Sequence, residues 1–94
     1  FKIMKQNCDL MKPEIDKETC IQGVVNTLGT RFGGDAEKMN GFCAILDTKN
    51  KKTCYIQMGK SLNEWVKNEK ALFLLCSKIS EKEYVNYCLN TNVN

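Results

Sequence analysis

Ninety-four residues, 43% of them apolar and 27% charged, make one small domain, too short for two independent cores and too apolar for a disordered chain. Thirteen lysines and one arginine, Arg31, against eleven acids leave a net charge of +3. With a single arginine and dispersed lysines there is no basic stripe of the kind that binds nucleic acid.

Six cysteines and no histidine narrow the chemistry further. An even set of cysteines in so short a chain fits an oxidising compartment, so the protein is read as secreted and extracellular. The missing histidine removes serine and cysteine triads and most zinc sites, which leaves a non-enzymatic reading with no metal and no cofactor. The longest apolar run, Ala71 to Cys76, is far below the roughly 18 residues of a transmembrane helix. The chain opens at Phe1 without an apolar leader, so any signal peptide has been removed or was never part of it, and no Asn-x-Ser/Thr sequon occurs.

The cysteines fall as three pairs. Eleven residues separate Cys8 from Cys20, ten separate Cys43 from Cys54, and eleven separate Cys76 from Cys88. Each pair lies 33 to 35 residues from its counterpart, a period that predicts three helical hairpins over residues 1–34, 35–68 and 69–94, the last truncated. The expected fold is all-α, a disulfide-rich array of three stapled hairpins with five to six helices around one core. Local pairing within each hairpin is predicted, and near-palindromic spacing also permits a nested set, Cys8 with Cys88 and Cys20 with Cys76. Both keep Cys43 with Cys54.

In the first hairpin, Ile3, Met4, Cys8 and Met11 form one face of a short helix that ends at Lys12. Pro13 suits the first turn of the next helix, and Glu14 and Asp16 suit its positive dipole end. That second helix carries Ile21, Val24, Val25, Leu28 and Phe32 at helical spacing, weakened at Gly29, and Gly33-Gly34 stop it. Asp35 caps the next helix, whose buried face is Ala36, Met39, Phe42, Cys43 and Leu46. A polar turn follows from Asp47 to Lys52, and a helix from Thr53 carries Tyr55, Met58, Leu62, Trp65 and Val66, with Tyr55 and Trp65 read as core. Asn68-Glu69 is a weak breaker, so this helix is expected to bend into the next. Leu72, Leu75, Cys76 and Ile79 then repeat Met39, Phe42, Cys43 and Leu46. Ser80 and Glu83 form a capping box before a final helix through Tyr84, Val85, Tyr87 and Cys88, and Asn90 to Asn94 read as a tail.

The candidate partner-binding residues are few. Lys49, Lys51 and Lys52 crowd one turn and would suit an acidic receptor or an anionic lipid headgroup. Phe73 and Leu74 lie off the core-facing stripe in the apolar run, where a central helix is the plain alternative to a partner patch. Glu14 with Glu18, and Glu81 with Glu83, read as solvated helix faces rather than catalytic carboxylates. The Cys43 to Cys54 spacing resembles the hairpin disulfide of saposin-like proteins, but their close cysteine pair near the start is not here. Size and cysteine count are similar to the microplusins, but the copper-binding histidines of those proteins are absent. The expected function is that of a secreted binding protein, a toxin-like venom, salivary or haemolymph-type factor acting on another protein, with an antimicrobial-like, lipid-binding protein as the alternative.

Overall fold

A computed structural model describes residues 2–10, 14–31 and 36–89, with the side chains of all of these except 14, 15 and 29–31. Among them are six α-helices: α1 (Lys2–Asp9), α2 (Glu14–Arg31), α3 (Ala36–Ala44), α4 (Thr48–Val66), α5 (Glu69–Cys76) and α6 (Val85–Leu89). A 3-10 turn, Lys82–Tyr84, leads into α6. The fold is the disulfide-rich, all-helical array that the cysteine spacing predicts. The expectations for Met11, Lys12, Pro13, Phe32, Gly33, Gly34, Asp35 and Asn90 to Asn94 lie outside the described residues, as do those for the side chain of Glu14 and for Gly29.

Pairing is local. Cys8–Cys20, Cys43–Cys54 and Cys76–Cys88 each join the two helices of one hairpin, at Cα separations of 5.4, 5.5 and 5.8 Å. In the chain-entropy view, closing a loop of this size stabilises the fold by roughly 3 kcal/mol per bridge. The hairpins meet through α4, which packs on α2, α3, α5 and α6. Their shared core takes Ile21, Val25 and Leu28 from α2, Met39 and Phe42 from α3, Tyr55, Met58 and Leu62 from α4, and Leu72, Ile79 and Tyr84 from the third hairpin.

Several boundaries differ from the sequence reading. The turn between α3 and α4 is only Ile45 to Asp47: helix α4 opens at Thr48, with Asp47 as its N-cap residue. A run of lysines reads as a loop by polarity, yet lysine is a good helix former and this run makes up the first two turns of α4. The break after α4 is a true one. Lys67 adopts left-handed backbone (φ 45°, ψ 33°), and the Asn68 side chain then caps α5, accepting from the backbone N–H of Lys70 at 2.9 Å and of Ala71 at 3.1 Å. Asparagine in this place is therefore a strong start signal for a new helix. The third hairpin's turn opens at Glu81 rather than in a Ser80 capping box, without a side-chain cap.

Two core assignments are also corrected. Trp65 is 51% exposed. At 100° per residue Trp65 lies about 20° from Met58 and about 40° from Ser61, both buried, so it shares the core-facing side of α4, and its exposure is a matter of position: it stands in the last turn, one residue before the helix ends at Val66. On α1 only Cys8 is buried, whereas Ile3 is 72% exposed. This helix packs mainly on α2, and one neighbour is too few to cover its apolar face.

Candidate functional site

The lysine cluster lies on the first two turns of α4, not on a loop. Lys49 is exposed. Lys51 turns inward: its Nζ donates to Glu81 Oε1 at 2.7 Å and stands 5.9 Å from the centre of the Tyr84 ring. Lys52 Nζ lies 5.3 Å from the Tyr87 ring centre. Both contacts cross from the second hairpin to the third, so two of the three lysines belong to the joint between hairpins.

Aromatic rings complete that joint. Tyr55 stacks on Tyr84 at 5.0 Å between ring centres, and Tyr84 is tilted against Tyr87 at 6.0 Å. The Tyr55 hydroxyl donates to Asn40 Oδ1 at 3.0 Å. Burial, and then the charge of Glu81 and the neighbouring Tyr84, push the Tyr55 phenol up to about 12, so it is a neutral donor at any physiological pH. These groups hold two hairpins together.

The second candidate is α5. Asn68 holds its start and the Cys76–Cys88 bridge holds its end, while Leu72 anchors it to the core. A side chain one or two residues further along a helix points about 100° or 200° away, so Phe73 and Leu74 face outward, 55% and 66% exposed. The expected alternative of a central helix is thereby overturned: α5 is peripheral. Phe73 and Leu74 line an open groove of about 510 Å³ together with Leu72, Leu89, Glu69 and Lys70. A volume of this size lies within the range of about 300–1,000 Å³ typical of ligand clefts.

Leu89, Glu69 and Lys70 were not singled out from the sequence. The signal for Leu89 is positional, since it directly follows Cys88 as Tyr55 follows Cys54 and Ile21 follows Cys20. Of the acids considered earlier, Glu18 and Glu83 are exposed and Glu81 is bound by Lys51. No cluster of cysteine, aspartate and glutamate suited to a metal ion occurs among the described residues. No helix among them is long and apolar enough to cross a membrane. No protein family, curated protein or solved structure matches the chain.

Proposed function

We propose that the protein is a secreted, non-enzymatic binding protein, a venom, salivary or haemolymph-type factor that docks on another protein. The observation that carries this reading is the exposed pair Phe73 and Leu74 on a helix fixed at both ends. Apolar side chains presented on a rigid element bind with little ordering cost. Secretion is supported by the pairing of all six cysteines, a state that reducing cytosol opposes. A purely non-catalytic role is supported by the lack of histidine and by the commitment of Lys51, Glu81 and Tyr55 to packing.

We assign the docking surface to α5 rather than to Lys49, Lys51 and Lys52, because Lys51 is already paired. The same surface favours a protein partner over an anionic membrane, since Glu69 and Lys70, the charges among the described lining residues, cancel beside the apolar pair. The test is a photo-crosslinking residue at position 74, used in the secretions of the source organism. A discrete protein adduct is expected, and it should vanish when Phe73→Ser is added and not form from position 18 on α2. Adducts of equal yield from both positions, or co-sedimentation with anionic vesicles in place of an adduct, would overturn the reading.

A further inference from the structure

The three bridges are not equally enclosed. Cys43, Cys54, Cys76 and Cys88 are fully buried, and Cys8 is 1% exposed. Cys20 differs: it is half-buried and lines an open cleft of about 320 Å³ with Met4, Gly23, Val24 and Thr27. Thiol–disulfide exchange begins when a thiolate reaches one sulfur of the bridge, so access at Cys20 sets the first bridge apart from the other two. Gly23 keeps that access open. A helical side chain leans back toward the N-terminus, over the turn before it, so a long side chain at 23 would lie over Cys20. Gly23 is exposed, carries none, and a Cβ at that position would meet nothing within 4 Å.

The helix that this bridge fastens has little other hold. Cys8 is the buried residue of α1, and the helix packs mainly on α2. Lys5 pairs with Asp9 of its own helix at 2.7 Å and reaches Asp47 of the second hairpin only at 3.9 Å. By contrast α3 buries Ala36, Met39 and Phe42 beside its cysteine. Helix α2 is anchored independently of α1, since Ile21, Val25 and Leu28 lie in the shared core and the helix packs on α3 and α4. Opening the first bridge removes the main hold on α1 and leaves that of α2 in place.

We propose that Cys8–Cys20 is a redox switch: a small dithiol reductant opens it at Cys20 ahead of the other two bridges, and α1 then leaves α2 while the rest of the core stays folded. A thiolate of the reductant attacks Cys20 Sγ, the bond between the two Sγ atoms breaks, and Cys8 leaves as a thiolate that takes a proton from water. The second thiol of the reductant, deprotonated in turn, attacks the reductant sulfur of the mixed disulfide and displaces Cys20, which is protonated likewise. Two electrons pass to the bridge, two cysteine thiols result, and the reductant is left as its own disulfide. The opened form lays bare the face of α2 that carries Cys20 and Val24. This switch is independent of the docking surface on α5.

The probe is dithiothreitol, applied to the intact oxidised protein without denaturant. Samples are blocked with iodoacetamide at intervals, the remaining bridges are reduced and blocked with N-ethylmaleimide, and peptide mass spectrometry reads the six cysteines separately. Cys8 and Cys20 should take the first label at least ten-fold faster than the other four. Gly23→Leu should slow their labelling at least five-fold and leave the other four unchanged. Gly23→Ala gives the helix a similar gain in propensity, but its methyl touches nothing, so it should slow labelling less than two-fold. Hydrogen exchange on the wild type, read in dithiothreitol while only the first bridge is open, should show the amides of α1 exchanging as free chain and those of Val25, Leu28, Met58 and Leu62 still protected. Equal labelling of all six cysteines, or earlier opening of either buried bridge, overturns the proposal. So does a Gly23→Leu rate equal to that of wild type or of Gly23→Ala. Amides of α1 that stay protected after opening, or that exchange freely before it, overturn it as well, as does loss of protection throughout α2 and α4.

Discussion

The joint between the second and third hairpins allows a quantitative test, because one ion pair spans it. Lys51 and Glu81 meet at 2.7 Å with side chains 14% and 38% exposed. At an effective dielectric constant near 20, the bare attraction at that distance is about 6 kcal/mol. Most of this is offset by desolvation on the lysine side and by solvent screening of the half-open carboxylate, so the net coupling falls between an exposed pair, about 0.2–1 kcal/mol, and a buried one, about 3–5. We expect about 1–2 kcal/mol. The perturbation is a double-mutant cycle of Lys51→Met, Glu81→Gln and both together, read by urea unfolding with the disulfides intact. With a slope of about 1 kcal/mol/M for a small domain, each single change should lower the midpoint by about 1–2 M, and the double change by clearly less than the sum. Additivity within about 0.3 kcal/mol would refute the reasoning and leave the joint to its aromatic and apolar contacts.

Three further outcomes follow from local geometry. Lys67→Gly should stabilise the fold by about 1 kcal/mol, since a side chain in left-handed backbone costs about that much and glycine does not pay it; thermal unfolding reads the shift. Asn68→Ala should cost about 1 kcal/mol by removing the cap of α5, and hydrogen exchange should rise first at the amides of Lys70 and Ala71. Tyr55→Phe should cost about 1 kcal/mol at neutral pH through the lost bond to Asn40, yet it should gain on wild type in alkali. The folded phenol is raised to about 12 from an ordinary 10, so its contribution is complete below pH 10 and is lost as pH climbs to 12. The wild type should give up about 2–3 kcal/mol relative to the variant across that window, and parallel pH curves for the two proteins would contradict it.

Helices and bridges were legible because each rests on a short-range signal. The 33 to 35 residue spacing of the cysteines encodes the three local disulfides, and the run Ile21, Val25, Leu28 encodes the buried face of α2. What was not legible depends on neighbours. Trp65 has the right period and the right face for the core, but it stands in the last turn of α4, where position along the helix rather than face decides burial. Ile3 has the right face but only one principal helix to cover it. Lys51 looks solvated by type, and only the third hairpin's Glu81 and Tyr84, thirty or more residues away, draw it inward. The groove on α5 was half legible. Phe73 and Leu74 stood out as off-stripe, yet whether they were central or peripheral turned on which helices pack on α5, and periodicity within one helix does not supply that.

The acids at the hairpin turns show why three stapled units share one core rather than standing apart. Asp47 and Glu81 occupy the same place, seven residues before the second cysteine of their hairpins, and each is the N-cap residue of the helical segment that follows. Neither side chain caps its own helix. At Asp47 the backbone carbonyl alone receives the first amides, from Asn50 at 2.8 Å and Lys51 at 3.1 Å. Both carboxylates are turned to a lysine of the preceding hairpin: Asp47 lies 3.9 Å from Lys5, and Glu81 lies 2.7 Å from Lys51. A side-chain cap would stabilise one hairpin by about 1 kcal/mol, whereas a carboxylate shared across a joint ties that hairpin's entry turn to the one before it. The two joints differ in strength. Lys5 is held mainly by Asp9 in its own helix, whose hydrogen bond raises its pKa, and it reaches Asp47 at the limit of contact. Lys51 commits to Glu81 and is backed by the tyrosine stack. The third hairpin therefore joins α4 through an ion pair and stacked rings as well as through apolar packing, and α2 of the first hairpin packs on the same helix.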